Sequence, residues 1–118
     1  MKNTRVSYMY RDANNYKYYA HVVVAGELRY DEIASYLDDG EHFIVGEISE
    51  HWEEPQYQAE GFPTTDDHTW CEIEREDVEL TDEEPTVPES AAEVVQRFKS
   101  AHSHQWNVEH NMKRMGLA

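Results

Sequence analysis

Residues 4–28, TRVSYMYRDANNYKYYAHVVVAGEL, leave little freedom in how the chain begins. Val6, Tyr8 and Tyr10 alternate with Ser7 and Met9, the period-two pattern of a strand with one buried face. Asp12-Ala13-Asn14-Asn15 follows, and Asp and Asn tolerate the tight backbone of a turn. Tyr16 to Val24 is then rich in aromatic and β-branched residues, so the segment predicts a β-hairpin. Five of the eight tyrosines fall in its two strands, where cross-strand packing is their ordinary use. An aromatic face with Arg5, Arg11 and Lys17 could also stack on single-stranded nucleic acid, but the charge of the whole chain opposes it.

The remaining pattern extends this sheet. RYDEIASYLDDG places Tyr30, Ile33, Ala34 and Leu37 on one helical face, with Asp31 and Glu32 in the first turn and Gly40 as the stop. HFIVGEI reads as a third strand, residues 49–65 as a long irregular loop, and TWCEIER as a fourth strand with Cys71 and Ile73 on one side. EDVELTDEEPTVPE is acidic and contains two prolines, a linker by composition. Ser90 to Glu93 has capping-box spacing, and Val94, Phe98, Ala101, Gln105, Val108, Met112 and Met115 then recur at steps of three and four. That stripe predicts one C-terminal helix of about 37 Å, longer than a small sheet covers, and hence a homodimer seam with Gln105 as its polar member. The expected class is α+β: a small antiparallel sheet of about four strands with one short packed helix, plus the long C-terminal helix. The corresponding boundaries are a compact domain over 1–76, an acidic linker over 77–88 and the helix over 89–118.

Charge is distributed in blocks. The net charge is −15, yet residues 31–93 hold 22 carboxylates against Arg75 alone, while both ends are mildly basic. The block reads as a solubilising coat, as a face for a basic partner that mimics a nucleic-acid backbone, or as a chelating surface. Direct binding of nucleic acid through it is excluded by sign. No run approaches the roughly 20 apolar residues of a membrane span, the polar first residues lack the apolar core of a signal peptide, and one cysteine permits no internal disulfide. A cytoplasmic location is the expectation.

DDHTWCEIE, residues 66–74, gathers the only residues suggestive of chemistry. Asp66, Asp67, His68 and Cys71 include zinc-ligand types, but they form a single cluster rather than spaced pairs, and neighbours on an extended chain point apart. A Cys71–His68 nucleophile and base lacks an identifiable oxyanion donor. The expectation is a turn entering a strand, Asp67 capping the turn and Trp70 or Cys71 facing the core, without cofactor or metal. A small metal-binding protein or enzyme using the cluster is the alternative. His102 and His104 diverge by about 200° on a helix, so with His110 they make no ligand set.

YRDANNYKYYAHVVVAGEL, LDDGEHFI and DDHTWCEIE together resemble a family of short, uncharacterised bacterial and phage proteins, over roughly residues 6–75. Cys71 stands where that family's pattern suggests a second histidine. The resemblance implies one compact domain. Size, acidic charge and the lack of a catalytic motif, rather than the resemblance, make the expected function non-enzymatic: an acidic protein that occupies the site of a basic, nucleic-acid-binding effector, as a phage anti-defence or anti-CRISPR inhibitor would. Asp38, Asp39, Glu41, Glu50, Glu53, Glu54, Glu60, Asp82, Glu83 and Glu84 are the expected contacts.

Overall fold

The computed structural model describes residues 2–117. It is an α+β fold of five antiparallel strands and three helices: β1 Asn3–Arg11, β2 Lys17–Val24, β3 His42–Phe43, α1 Val45–Ile48, β4 Cys71–Glu72, β5 Val78–Thr81, α2 Ala91–Ser103 and α3 Val108–Arg114.

The hairpin forms as its alternation requires. Val6 faces Val22, Tyr8 faces Ala20 and Tyr10 faces Tyr18 across β1 and β2. Val6, Tyr8, Tyr10, Val22 and Val24 are buried. At the turn, Asp12 Oδ1 accepts the amides of Asn14 and Tyr16, both at 2.9 Å. Asn15 takes φ 67° there, a left-handed conformation that Asn adopts more readily than most residues.

The other edge of β1 is shared. β4 pairs with it at Met9, and β5 pairs with it from Asn3 to Val6. Met9 faces Glu72 and Val6 faces Val78, so β1 advances three residues where the facing chain advances six. The surplus is taken up by a 3₁₀ turn at Arg75–Asp77 that bulges out of the sheet. β3 adds outside β4, opposite Cys71 and Glu72.

Several sequence expectations change here. Tyr30–Glu32 and Ala34–Tyr36 are two 3₁₀ turns rather than one α-helix; so short a segment gains too few bonds to offset helix nucleation. Ile33 and Leu37 are nonetheless buried. HFIVGEI contributes only two strand residues before turning into α1. Residues 77–88 are not a free linker. They begin with β5, and Thr86 then bonds the outer edge of β2: its amide donates to Val23 O at 2.8 Å and its hydroxyl accepts Val23 N at 2.9 Å. The chain thus straps the sheet from one edge to the other, with Lys2 on Asp82, Arg5 on Glu83 and Asn3 Nδ2 on Glu83 O.

The long C-terminal helix is also absent. α2 starts at the predicted capping box, Ser90 Oγ accepting Glu93 N at 3.2 Å and Glu93 Oε1 accepting Ser90 N at 3.2 Å. It ends at Ser103, and Gln105, Trp106 and Asn107 all have positive φ before α3 begins. In an unbroken helix Gln105 would face the sheet and Trp106 would lie about 100° away. The break reverses this: Trp106 is 2% exposed while Gln105 is exposed. Burying the indole against Trp70 and Phe98, ring centroids 6.2 and 5.8 Å away, outweighs the backbone strain. Val94, Phe98 and Ala101 pack in the chain's own core, Phe98 against Phe43 at 5.4 Å. Val108 and Met112 are half-buried and Met115 is buried, so the stripe that reads as a dimer seam is divided between two short helices. The two halves have no common straight face.

Candidate functional site

The DDHTWC stretch is a latch. Asp66 O accepts Ala13 N at 3.1 Å, and Asp66 Oδ2 accepts Asn14 Nδ2 at 2.6 Å, tying the loop to the hairpin turn. Asp67 Oδ2 accepts the amide and hydroxyl of Thr64, at 2.8 and 3.1 Å, while Oδ1 takes the Tyr10 hydroxyl. His68 Nδ1 accepts Trp70 N at 3.1 Å, which leaves the proton on Nε2 to donate to Arg11 O at 2.7 Å. Both ring nitrogens are therefore engaged. Cys71 lies in the core with Sγ 3.8 Å from Gln56 Oε1, and burial pushes its thiol well above the ordinary range. The four residues do not converge, and among the described residues no group of three or more His, Cys, Asp or Glu could hold a metal ion.

The expected contact carboxylates fall into separate groups. Glu54 is only 11% exposed and held by Arg114 at 2.7 Å; Glu53 accepts Gln58 Nε2 at 2.6 Å. Glu50 and Glu60 are exposed. Asp82 and Glu83 are paired with Lys2 and Arg5 in the strap, leaving Glu84 exposed beside them. Asp38, Asp39 and Glu41 form the turn before β3.

That turn abuts a second set which the sequence reading did not select: Glu72, Glu74, Glu76 and Asp77. Glu41 O accepts Ile73 N at 2.9 Å, bringing the two stretches together. Glu72 is paired with Arg11 Nε at 3.0 Å. The Glu74 carboxyl is raised above its ordinary range, chiefly by its hydrogen bond with Glu76 and that residue's charge, and further by burial, Asp77 and Glu41. Burial raises Asp77 as well, against the opposing bond from Glu74 N. The alternation Cys71, Glu72, Ile73, Glu74 already showed which residues face outward. Their crowding was hidden because it depends on the bulge.

These carboxylates border the outer face of the sheet, opposite the face that carries the core. A trough of about 440 Å³ opens there, between the β1–β2 surface (Ser7, Met9, Arg11, Tyr19, His21) and the wall formed by Glu72, Glu74 and Asp77. Tyr19 is 65% exposed at its rim.

A smaller recess contains Ser49, His51, Glu89 and Arg97. Glu89, also unforeseen, is buried; its carboxylate accepts Ser49 Oγ at 2.8 Å and Trp52 Nε1 at 3.2 Å, with His51 Nδ1 at 3.6 Å. Ser49 Oγ also lies 3.3 Å from His51 Nδ1, but its shorter bond is to the Glu89 carboxylate, and the group ties the end of the strap to the α1 region. No protein-family model matches the chain, and neither a curated protein nor a solved structure matches it.

Proposed function

We propose that this protein is a non-enzymatic binder of a basic, nucleic-acid-binding protein, whose nucleic-acid site its carboxylates occupy. The observation that carries this reading is the crowding at 38–41 and 72–77. Among the described residues of this patch the cations in contact are Arg11 on Glu72 and Arg75 on Asp31. Glu74, Glu76 and Asp77 stand together with no cation paired to them among the described residues, and the Glu74 carboxyl is raised first by its hydrogen bond with Glu76 and then by that residue's charge. A folded chain that keeps like charges together carries a cost that a cationic partner would relieve. Exposed carboxylates at such spacing present the charge, though not the shape, of a phosphate backbone. An inhibitor of a bacterial nucleic-acid-guided defence effector is the partner class such a surface would suit.

The test is displacement. The protein is used to capture partners from host lysate, and each purified partner is assayed for nucleic-acid binding with and without it. The expected result is a basic partner that loses its nucleic acid as this protein is added, with association weakening steeply as salt rises. Partners that are not basic, or that retain nucleic acid with this protein bound, would overturn the reading.

A further inference from the structure

On the outer face of β1, each arginine is answered by carboxylates. Arg5 contacts Glu79, at 3.1 Å, and Glu83; Arg11 contacts Glu72 at 3.0 and 3.4 Å. Between them on the same face stand Ser7 and Met9, neither of which carries charge. Met9 faces Glu72, but at Ser7 the facing chain is the bulge and the residue that leads into it, which supply Asp77 and Glu74 to the wall of the trough. The face therefore follows a rule of arginine against carboxylate, with one position where the carboxylates are present and the arginine is missing.

We infer that the trough on the outer sheet face is the docking site for an arginine side chain of the basic partner, supplied from outside the chain. This rests on the functional reading above and gives it a location. The chemistry favours guanidinium over ammonium. Tyr19 at the rim and Met9 on the floor offer a flat apolar surface against which a planar cation stacks, while Glu74 and Asp77 lie to one side as acceptors. The Arg11 guanidinium, already held on this face by both oxygens of Glu72, shows the geometry the strand surface accepts. Among the described residues no helix lines the trough; α2 packs into the core on the opposite face through Val94, Phe98 and Ala101.

The test supplies the missing arginine from within. Ser7→Arg places a guanidinium opposite Glu74 and Asp77, so it should raise Tm and at the same time weaken binding of a fluorescein-labelled oligo-arginine peptide by about tenfold or more. Tyr19→Ala, at an exposed side chain, should weaken the same binding without lowering Tm. Glu50→Lys with Glu60→Lys, at exposed carboxylates that do not line the trough, should change affinity far less than either. Amide shifts on titration should concentrate at Ser7–Arg11, Tyr19–His21 and Glu72–Asp77. If Ser7→Arg and Tyr19→Ala bind as the parent does and the Glu50 and Glu60 pair abolishes binding, the trough is not the site, although an acidic binder remains. Equal affinity for oligo-lysine would overturn the recognition of guanidinium. Failure to bind either peptide or any basic host protein would bring down both proposals together.

Discussion

The Tyr10 hydroxyl donates to Asp67 Oδ1 at 2.5 Å and accepts the His68 amide at 3.2 Å, so one side chain of β1 holds the turn that leads into β4. Burial, reinforced by the Asp67 carboxylate, keeps this phenol protonated far above its ordinary range. Tyr10→Phe should cost about 1–3 kcal/mol, since a half-buried carboxylate and a half-buried amide each lose a partner. Urea unfolding would show this as a lower midpoint with unchanged slope. His68→Ala should be destabilising in the same way, with added zinc leaving the parent's Tm where it was; a zinc-dependent rise in Tm, lost in His68→Ala, would make the latch a metal site instead.

Glu89 gives the fold a defined acid limit. Burial raises its carboxyl, but the Ser49 hydroxyl, its own backbone amide, the Trp52 indole and His51 together outweigh burial and hold it below the ordinary carboxylate value. A depressed carboxyl contributes stability that is present above its unfolded pKa and lost as pH falls through the folded value. Stability should therefore decline below about pH 4.5, and Glu89→Gln should be less stable at neutral pH but flatter across the acid range. Thermal melts at a series of pH values read both effects. Parallel curves for the two proteins would show that another group sets the limit.

What the sequence revealed follows the range of the interactions concerned. The hairpin was legible because its period and its turn residues are local: Tyr8 and Ala20 meet across a short loop whose Asp12 makes its own bonds. The α2 capping box was legible for the same reason. β5 was not, because its acidic, proline-flanked composition reads as linker and its partner is Asn3–Val6, some 75 positions earlier. The crowded carboxylates were hidden likewise, since the bulge exists only through the mismatch between Met9–Glu72 and Val6–Val78. The helix stripe failed on a competition: periodicity counts Gln105 in and Trp106 out, whereas the core exchanges them.

That exchange makes Asn111 the support of the C-terminal turn. Its side chain is fully buried, with Nδ2 donating to Trp106 O and Asn107 O at 3.2 and 3.0 Å and to Glu47 at 2.9 Å, while Oδ1 accepts Arg114 Nε at 3.1 Å. Three consecutive left-handed residues cost roughly 1–2 kcal/mol each, so the turn persists only while these bonds and the Trp106 contacts hold it. Asn111→Ala should lose about 1–3 kcal/mol per buried group left unpaired, and Trp106→Ala about 3–5 kcal/mol. A chain truncated after Glu84 loses Val94, Phe98 and Ala101 from the core and should be unfolded by circular dichroism. A folded truncation would restore the view of the C-terminal segment as an appendage free to pair with a second copy.

The crowded wall should set stability against binding. Glu74 has a raised carboxyl, so its contribution to stability is fully present below the unfolded pKa and is lost as pH rises through the folded one. At neutral pH the patch is therefore a liability for the free protein. Glu74→Gln and Glu76→Gln should each raise Tm at neutral pH, with the gain from Glu74→Gln shrinking under mildly acid conditions, where the parent Glu74 carboxyl takes up a proton. High salt should shrink it too, because exposed charges are screened over about 8 Å at physiological ionic strength. The same substitutions should weaken association with a basic partner, since they remove the charge that attracts it. Melting and binding must then move in opposite directions in one variant. Gains in Tm with affinity intact would mean that the repulsion at 72–77 is a cost the fold carries without use, and the partner would have to be sought at Glu50, Glu60 or Glu84.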